Sequence, residues 1–178
     1  MCIWGAKGPL LEPIMLKQIF FPLLALMLSF QCHAEYEEIN WDTLVPEKAR
    51  VILKQTKPRI VDHTGSKASQ ELSPGYSMFE ESLAGKRVRL PGFVVPLEGD
   101  NKKIYSFFLV PYFGACIHVP PPPPNQLVHV TTEQGVDFVD INTPIWVEGT
   151  MKLESTKHAL GYAGYALSLE QHRVYEGY

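Results

Sequence analysis

The residues of this sequence best suited to chemistry crowd into one stretch, GACIHVPPPPPNQ, residues 114–126, where Cys116 and His118 stand two apart ahead of five consecutive prolines. On an extended chain, side chains two apart face the same way. A thiolate and an imidazole placed so offer two ligands to a soft or borderline cation such as Zn²⁺ or Cu⁺. They do not complete a site, because a structural zinc takes four ligands and a catalytic zinc typically three from protein. His63, His129, His158 and His172, with Glu98, Asp137 and Asp140 as oxygen donors, form the pool for the rest. His129 lies on the next β-rich run and is the simplest cross-strand candidate, and His158 precedes Gly161 in a loop.

Two other readings of the pair stand beside ligation. A histidine near a cysteine can take its proton or lower its pKa and so make a nucleophile. Gly114 and Asn125 or Gln126 are then the candidates for an oxyanion donor and for orienting the imidazole. Side chains at i and i+2 on a strand are about 7 Å apart, which suits joint ligation better than a direct hydrogen bond. The plainest reading is packing, since cysteine is among the most often buried residues. The five prolines, 120–124, form an extended left-handed strut of about 15 Å that donates no backbone hydrogen bonds. Such a strut can pin the backbone beside Cys116 and His118 or line a docking surface. Trp146, Tyr162 and Tyr165 are the aromatics available to stack on it or to join the core.

The lone thiol gains meaning from the start of the chain. From Met15 the sequence reads MLKQIFFPLLALMLSFQCHA, with Lys17 ahead of an apolar run from Ile19 to Phe30 and small residues near Ala34. That is the layout of a secretory signal peptide, too short to span a bilayer. Cleavage is expected after Ala34, with Met15 an alternative start, leaving a periplasmic chain without a transmembrane segment. Cys2 and Cys32 would leave with the leader, so Cys116 would stand alone where disulfides normally form. The precursor carries 16 basic and 19 acidic side chains; without Lys7, Lys17 and Glu12 the balance is 14 to 18. A mildly acidic chain with no basic run is a poor partner for nucleic acid.

The rest of the chain must position the pair. PEKARVILKQ predicts a helix with Pro46 at its first position and Ala49, Ile52 and Leu53 on one face. Residues 56–75 are polar and rich in turn formers, with a short extended piece at 59–61. SMFEESLAG predicts a short helix with a Ser77–Glu80 capping box and Gly85 as its stop. From Lys86 the runs KRVRLPGFVVPLEG, KKIYSFFLVPYF, QLVHVTT, TPIWVEGTMKLE and YAGYALSLEQHRVY read as strands, with a turn at Gly99–Asn101 and a corner at Pro91–Gly92. The expected protein is mainly β. After the leader (1–34), a helical and linker segment (35–76) precedes a small five-stranded OB-like antiparallel barrel (77–178).

The blocks LPGFVVPLE, FFLVPYFGACIHVPPPPPNQ and PIWVEGTM resemble the signature blocks of the domain-of-unknown-function family 3299, small exported proteins of Gram-negative bacteria. The likeness runs over roughly Leu83 to Tyr175. It implies Cys116, His118, Pro120 to Pro124, Asn125 and Gln126 as the motif positions and leaves His129 outside them. The family brings no established activity. It implies a setting beside ABC-type permease and ATPase components, some of them linked to zinc supply. The expectation is therefore a periplasmic accessory protein of an ABC-type transport system that binds or hands over a transition metal, zinc above all, through Cys116 and His118. A non-catalytic module docking a membrane permease through its prolines, and a thiol enzyme, are the alternatives; no catalytic residue is assigned.

Overall fold

The computed structural model of the protein describes residues 35–55, 73–115, 121–137, 140 and 142–177. Residues 35–178 form one compact unit. The helix read from PEKARVILKQ is α1, Glu47–Gln55, with Ala49 buried. The extended piece read at 59–61 lies outside the described residues. The helix read from SMFEESLAG does not form. Single 3-10 turns at Pro74–Ser77 and Glu81–Leu83 replace it, and Glu80 rather than Ser77 is the cap, its side chain accepting from the Ser82 N–H at 3.3 Å. The segment has too little apolar surface for a helical face: of Glu81–Leu83 only Leu83 is buried. Gly85 ends the segment in the left-handed region at φ +76°, as expected of a stop glycine.

The strands follow the β-branched and aromatic runs. They are β1 (Glu37–Glu38), β2 (Arg87–Gly99), β3 (Lys103–Val110), β4 (Val128–Asp137), β5 (Ile145–Lys152), β6 (Thr156–His158), β7 (Gly161–Ala163) and β8 (Tyr165–Val174). The hairpin β2–β3 turns at Asp100, whose carboxylate accepts from the Lys102 and Lys103 N–H groups at 2.7 and 2.8 Å. Strand β2 changes partner at Pro91–Gly92: its first half pairs with β5 and its second half with β3. That is the corner, and its backbone is crowded. A Cβ on Gly92 would lie 2.8 Å from the Val110 carbonyl and 2.7 Å from the Leu109 side chain. The register shifts lie further on, around Glu98.

The sheet closes in the order β2-β3-β4-β8-β5 and back to β2, the OB-like barrel that the strand pattern implied. Four seams are antiparallel and one, β4–β8, is parallel. A ring of five strands cannot alternate direction at every seam, so at least one parallel pair is a condition of closure. The barrel interior is filled from every strand: Val88, Leu90 and Val94; Phe107 and Leu109; Val128 and Val130; Val147 and Met151; Tyr165 and Leu167. Leu44, Leu83 and Ile39 join this core from the N-terminal segment. The alternation on β8 holds as read, with Tyr165 and Leu167 buried and Glu170 exposed.

A second apolar cluster, Val95, Phe108, Val110, Ala115, Leu127 and Ala163, lies apart from the first. Phe108 and Val95 alternate with the interior residues, so this cluster belongs to the outer face of β2 and β3. Its cover comes from the chain leaving β3, the chain entering β4, and the β6–β7 hairpin between β5 and β8.

Candidate functional site

Cys116, His118 and Pro120 lie outside the described residues, as does His63. The chain on either side of them is described. Gly114 adopts a left-handed φ of +80°, which turns the backbone off the end of β3 and delivers Ala115, fully buried, into the outer cluster. On the far side Pro121 is exposed, Pro122 and Pro124 are buried, and Pro124–Gln126 make a 3-10 turn. Tyr112 and Phe113, just before the turn, are 46% and 48% exposed, and Phe113 meets Phe93 edge to face at 6.1 Å.

The two polar residues that end the motif are spent on the fold. Asn125 is fully buried; its Nδ2 donates to the Gly75 and Met78 carbonyls at 2.9 and 3.2 Å. Gln126 Nε2 donates to the Trp41 carbonyl at 2.7 Å, and the Trp41 indole N–H reaches the Pro91 carbonyl at 2.8 Å. A chain of hydrogen bonds thus runs from the proline segment through the N-terminal strap to the barrel corner. Among the described residues the partners of both amide nitrogens are backbone carbonyls. The Asn125 Oδ1 is buried with no hydrogen-bond partner among the described residues.

Tyr165 makes a matching tie from the other strand. Its hydroxyl donates to the Leu44 carbonyl and accepts from the Glu80 N–H, both at 2.6 Å. Burial pushes its pKa up to about 12. Phe79 crosses its ring edge to face at 5.4 Å. Tyr165 therefore belongs to the core rather than to a stack on the prolines. Trp146 also packs elsewhere, against Tyr175 at 5.0 Å and within 5.5 Å of the guanidinium groups of Arg89 and Arg173. Tyr162 is 43% exposed.

The remaining ligand candidates fare differently from one another. His129 is partly buried on the outer face of β4, with Nε2 2.9 Å from the Ser106 hydroxyl and Nδ1 3.0 Å from the Thr156 hydroxyl. Burial holds its pKa below the ordinary histidine value. Both ring nitrogens are engaged, so the simplest cross-strand ligand is a neutral structural imidazole. His158 Nδ1 accepts from the Leu160 N–H at 3.2 Å. A neutral ring accepting at Nδ1 carries its proton on Nε2, so neither nitrogen faces outward as a lone pair. Glu98, Asp137 and His172 are exposed, and Asp140 caps the Asn142 N–H at 3.0 Å. Among the described residues no three His, Cys, Asp or Glu side chains gather as a ligand set.

The outer β3–β4 face has a further property. In OB barrels the face of the second and third strands, with the loops between strands one and two and between four and five, takes oligonucleotides and oligosaccharides. Here those strands are β3 and β4, and the loop between the fourth and fifth barrel strands carries the β6–β7 hairpin. Gly161 on that hairpin sits so close that a Cβ would lie 2.8 Å from Leu127, 3.4 Å from Pro121 and 3.7 Å from Phe108. The protein's own hairpin and proline segment occupy the face.

The comparisons agree with this architecture. The model of the family described as "Protein of unknown function (DUF3299)" matches residues 41–174. The chain is similar to a crystal structure of a DUF3299 family protein from Pseudomonas aeruginosa PAO1, with 31% identity and a TM-score of 0.61, over 80% of this chain and 98% of that one. No curated protein matches the chain.

Proposed function

The chain belongs to the DUF3299 family of proteins of unknown function, and on that premise we propose that it is an exported, periplasmic accessory protein of an ABC-type transport system. It binds zinc through Cys116 and His118 and presents the ion to a partner. The observation that carries this reading is the anchoring of both flanks of the pair. Ala115 is buried in the outer cluster on one side, and Pro122, Pro124 and Asn125 are buried on the other. Anchored flanks lower the entropy lost when two side chains converge on an ion. His129 and His158 are committed to Ser106, Thr156 and Leu160. With those two imidazoles engaged, the site we propose is one of two ligands that draws the rest from water or from the partner, the chemistry of transfer rather than of a closed structural zinc.

The experiment is alkylation of Cys116 at neutral pH with and without zinc. Zinc is expected to slow modification strongly in the wild type and only weakly in His118→Ala. Fast alkylation that zinc does not touch, and that slows in His118→Ala, would instead mark a thiol nucleophile. A docking role for the prolines is the second reading. The exposure of Tyr112 and Phe113 before the pair and of Pro121 after it favours this reading, which predicts partner capture that survives loss of both Cys116 and His118.

A further inference from the structure

We propose that the β6–β7 hairpin is a flap on the outer β3–β4 face, latched by His129 and released when that imidazole gains a proton. This inference is independent of metal binding. The ring of His129 lies between Ser106 on β3 and Thr156 at the start of β6, within 3.0 Å of both hydroxyls. It is thus a polar link between barrel and hairpin. The apolar part of the contact is thin: Gly161 against Leu127, Pro121 and Phe108, with Ala163 and Leu160 beside them. Phe108 meets both His129 and His158 edge to face, at 5.9 and 6.0 Å.

The latch depends on a neutral ring. A neutral imidazole donates from one nitrogen and accepts at the other, so one of the two hydroxyls gives its proton to the ring. In the imidazolium both nitrogens donate, and that hydroxyl proton must find another acceptor. Among the described residues neither hydroxyl has a second partner, and Ser106 is buried. Protonation therefore strands a hydroxyl proton and places a cation in a partly desolvated site. Glu98 at the end of β2 and Glu154 before β6 favour the cation, and His158 on β6 opposes it. Burial outweighs the two carboxylates, so the closed-state pKa is depressed. The sign follows from linkage. The open state binds the proton more readily, so closure is fully favoured above the open-state pKa of about 6.5 and weakens as pH falls below it. Opening uncovers Phe108 and Leu127, on the face where OB barrels bind their ligands.

Amide exchange of residues 156–163, corrected for the pH dependence of intrinsic exchange, tests the latch. Between pH 7.5 and 5.5 the open population of the hairpin is expected to rise several-fold, with about tenfold as the ceiling for a single histidine of open-state pKa about 6.5. Protection in β3 and β5 should stay constant. His129→Gln, which keeps one donor and one acceptor, should flatten the response. Equal protection at both pH values, or the same rise in His129→Gln, would overturn the proposal. If that variant does not fold, the imidazole titration of His129 in the wild type decides: its midpoint must coincide with that of hairpin opening, and a mismatch overturns the latch.

Discussion

Gln126 donates its side-chain amide to the Trp41 carbonyl at 2.7 Å, while the Trp41 indole N–H is bound to the Pro91 carbonyl at the barrel corner. The end of the proline segment and the N-terminal strap are thus parts of one hydrogen-bonded tie. Asn125 doubles it with two donations to the Gly75 and Met78 carbonyls.

Asn125→Ala removes both donations: the Met78 carbonyl loses its donor, while the Gly75 carbonyl keeps the Met78 N–H at 3.4 Å. A buried unsatisfied acceptor costs about 1–3 kcal/mol, so the variant should lose about 3 kcal/mol in urea unfolding at neutral pH. Gln126→Ala, at a partly buried site, should lose less, about 1 kcal/mol. An unchanged midpoint for Asn125→Ala would show that the tie carries no stability.

Tyr165→Phe keeps the ring and removes the hydroxyl that joins the Leu44 carbonyl to the Glu80 N–H. A loss of about 2–3 kcal/mol is expected. The pH dependence offers an independent check. The unfolded phenol ionises near its ordinary value of about 10, whereas the folded one holds its proton to about 12. The folded state binds more protons in that window, so this contribution is whole below pH 10 and is lost as pH rises toward 12. Alkaline unfolding curves of wild type and Tyr165→Phe should therefore converge.

Gly149→Ala tests the β5–β8 seam. A Cβ there would run into the Ser168 carbonyl, which is backbone and cannot swing aside. Overpacking of this kind costs about 1–3 kcal/mol, and the upper end is expected. At Gly164 the obstacle is the Phe79 ring, a side chain that can turn, so Gly164→Ala should cost less. Thermal unfolding of the two variants side by side reads the order.

The barrel was legible in the sequence because its strands are runs rich in β-branched and aromatic residues bounded by turn residues. Pro91–Gly92 inside the first run marked the corner of β2, and β8 alternates as Tyr165, Leu167 and Leu169 suggest. The β6–β7 hairpin escaped because strands of three residues, Thr156–His158 and Gly161–Ala163, are too short to show a period. Ser77–Glu80 matched the spacing of a capping box, yet the residues after it supply too little apolar surface to hold a helix. At the candidate site, Asn125 and Gln126 read as chemistry because amides beside a thiol suggest it. Their partners are backbone carbonyls at Trp41, Gly75 and Met78, 47 to 85 residues away, and no local pattern encodes such a contact. His129 had the same ambiguity: only the placement of Ser106 and Thr156 shows that both its nitrogens are taken.

The central claim is a zinc ion held by Cys116 and His118. Zinc bound per chain, counted by native mass spectrometry of the purified protein beside the Cys116→Ala, His118→Ala double variant, tests it most directly. One zinc is expected on the wild-type chain after incubation with a modest excess and none on the double variant, with both folded. A wild-type chain that stays free of zinc at that excess, or a double variant that binds it equally, would rule out zinc binding by Cys116 and His118.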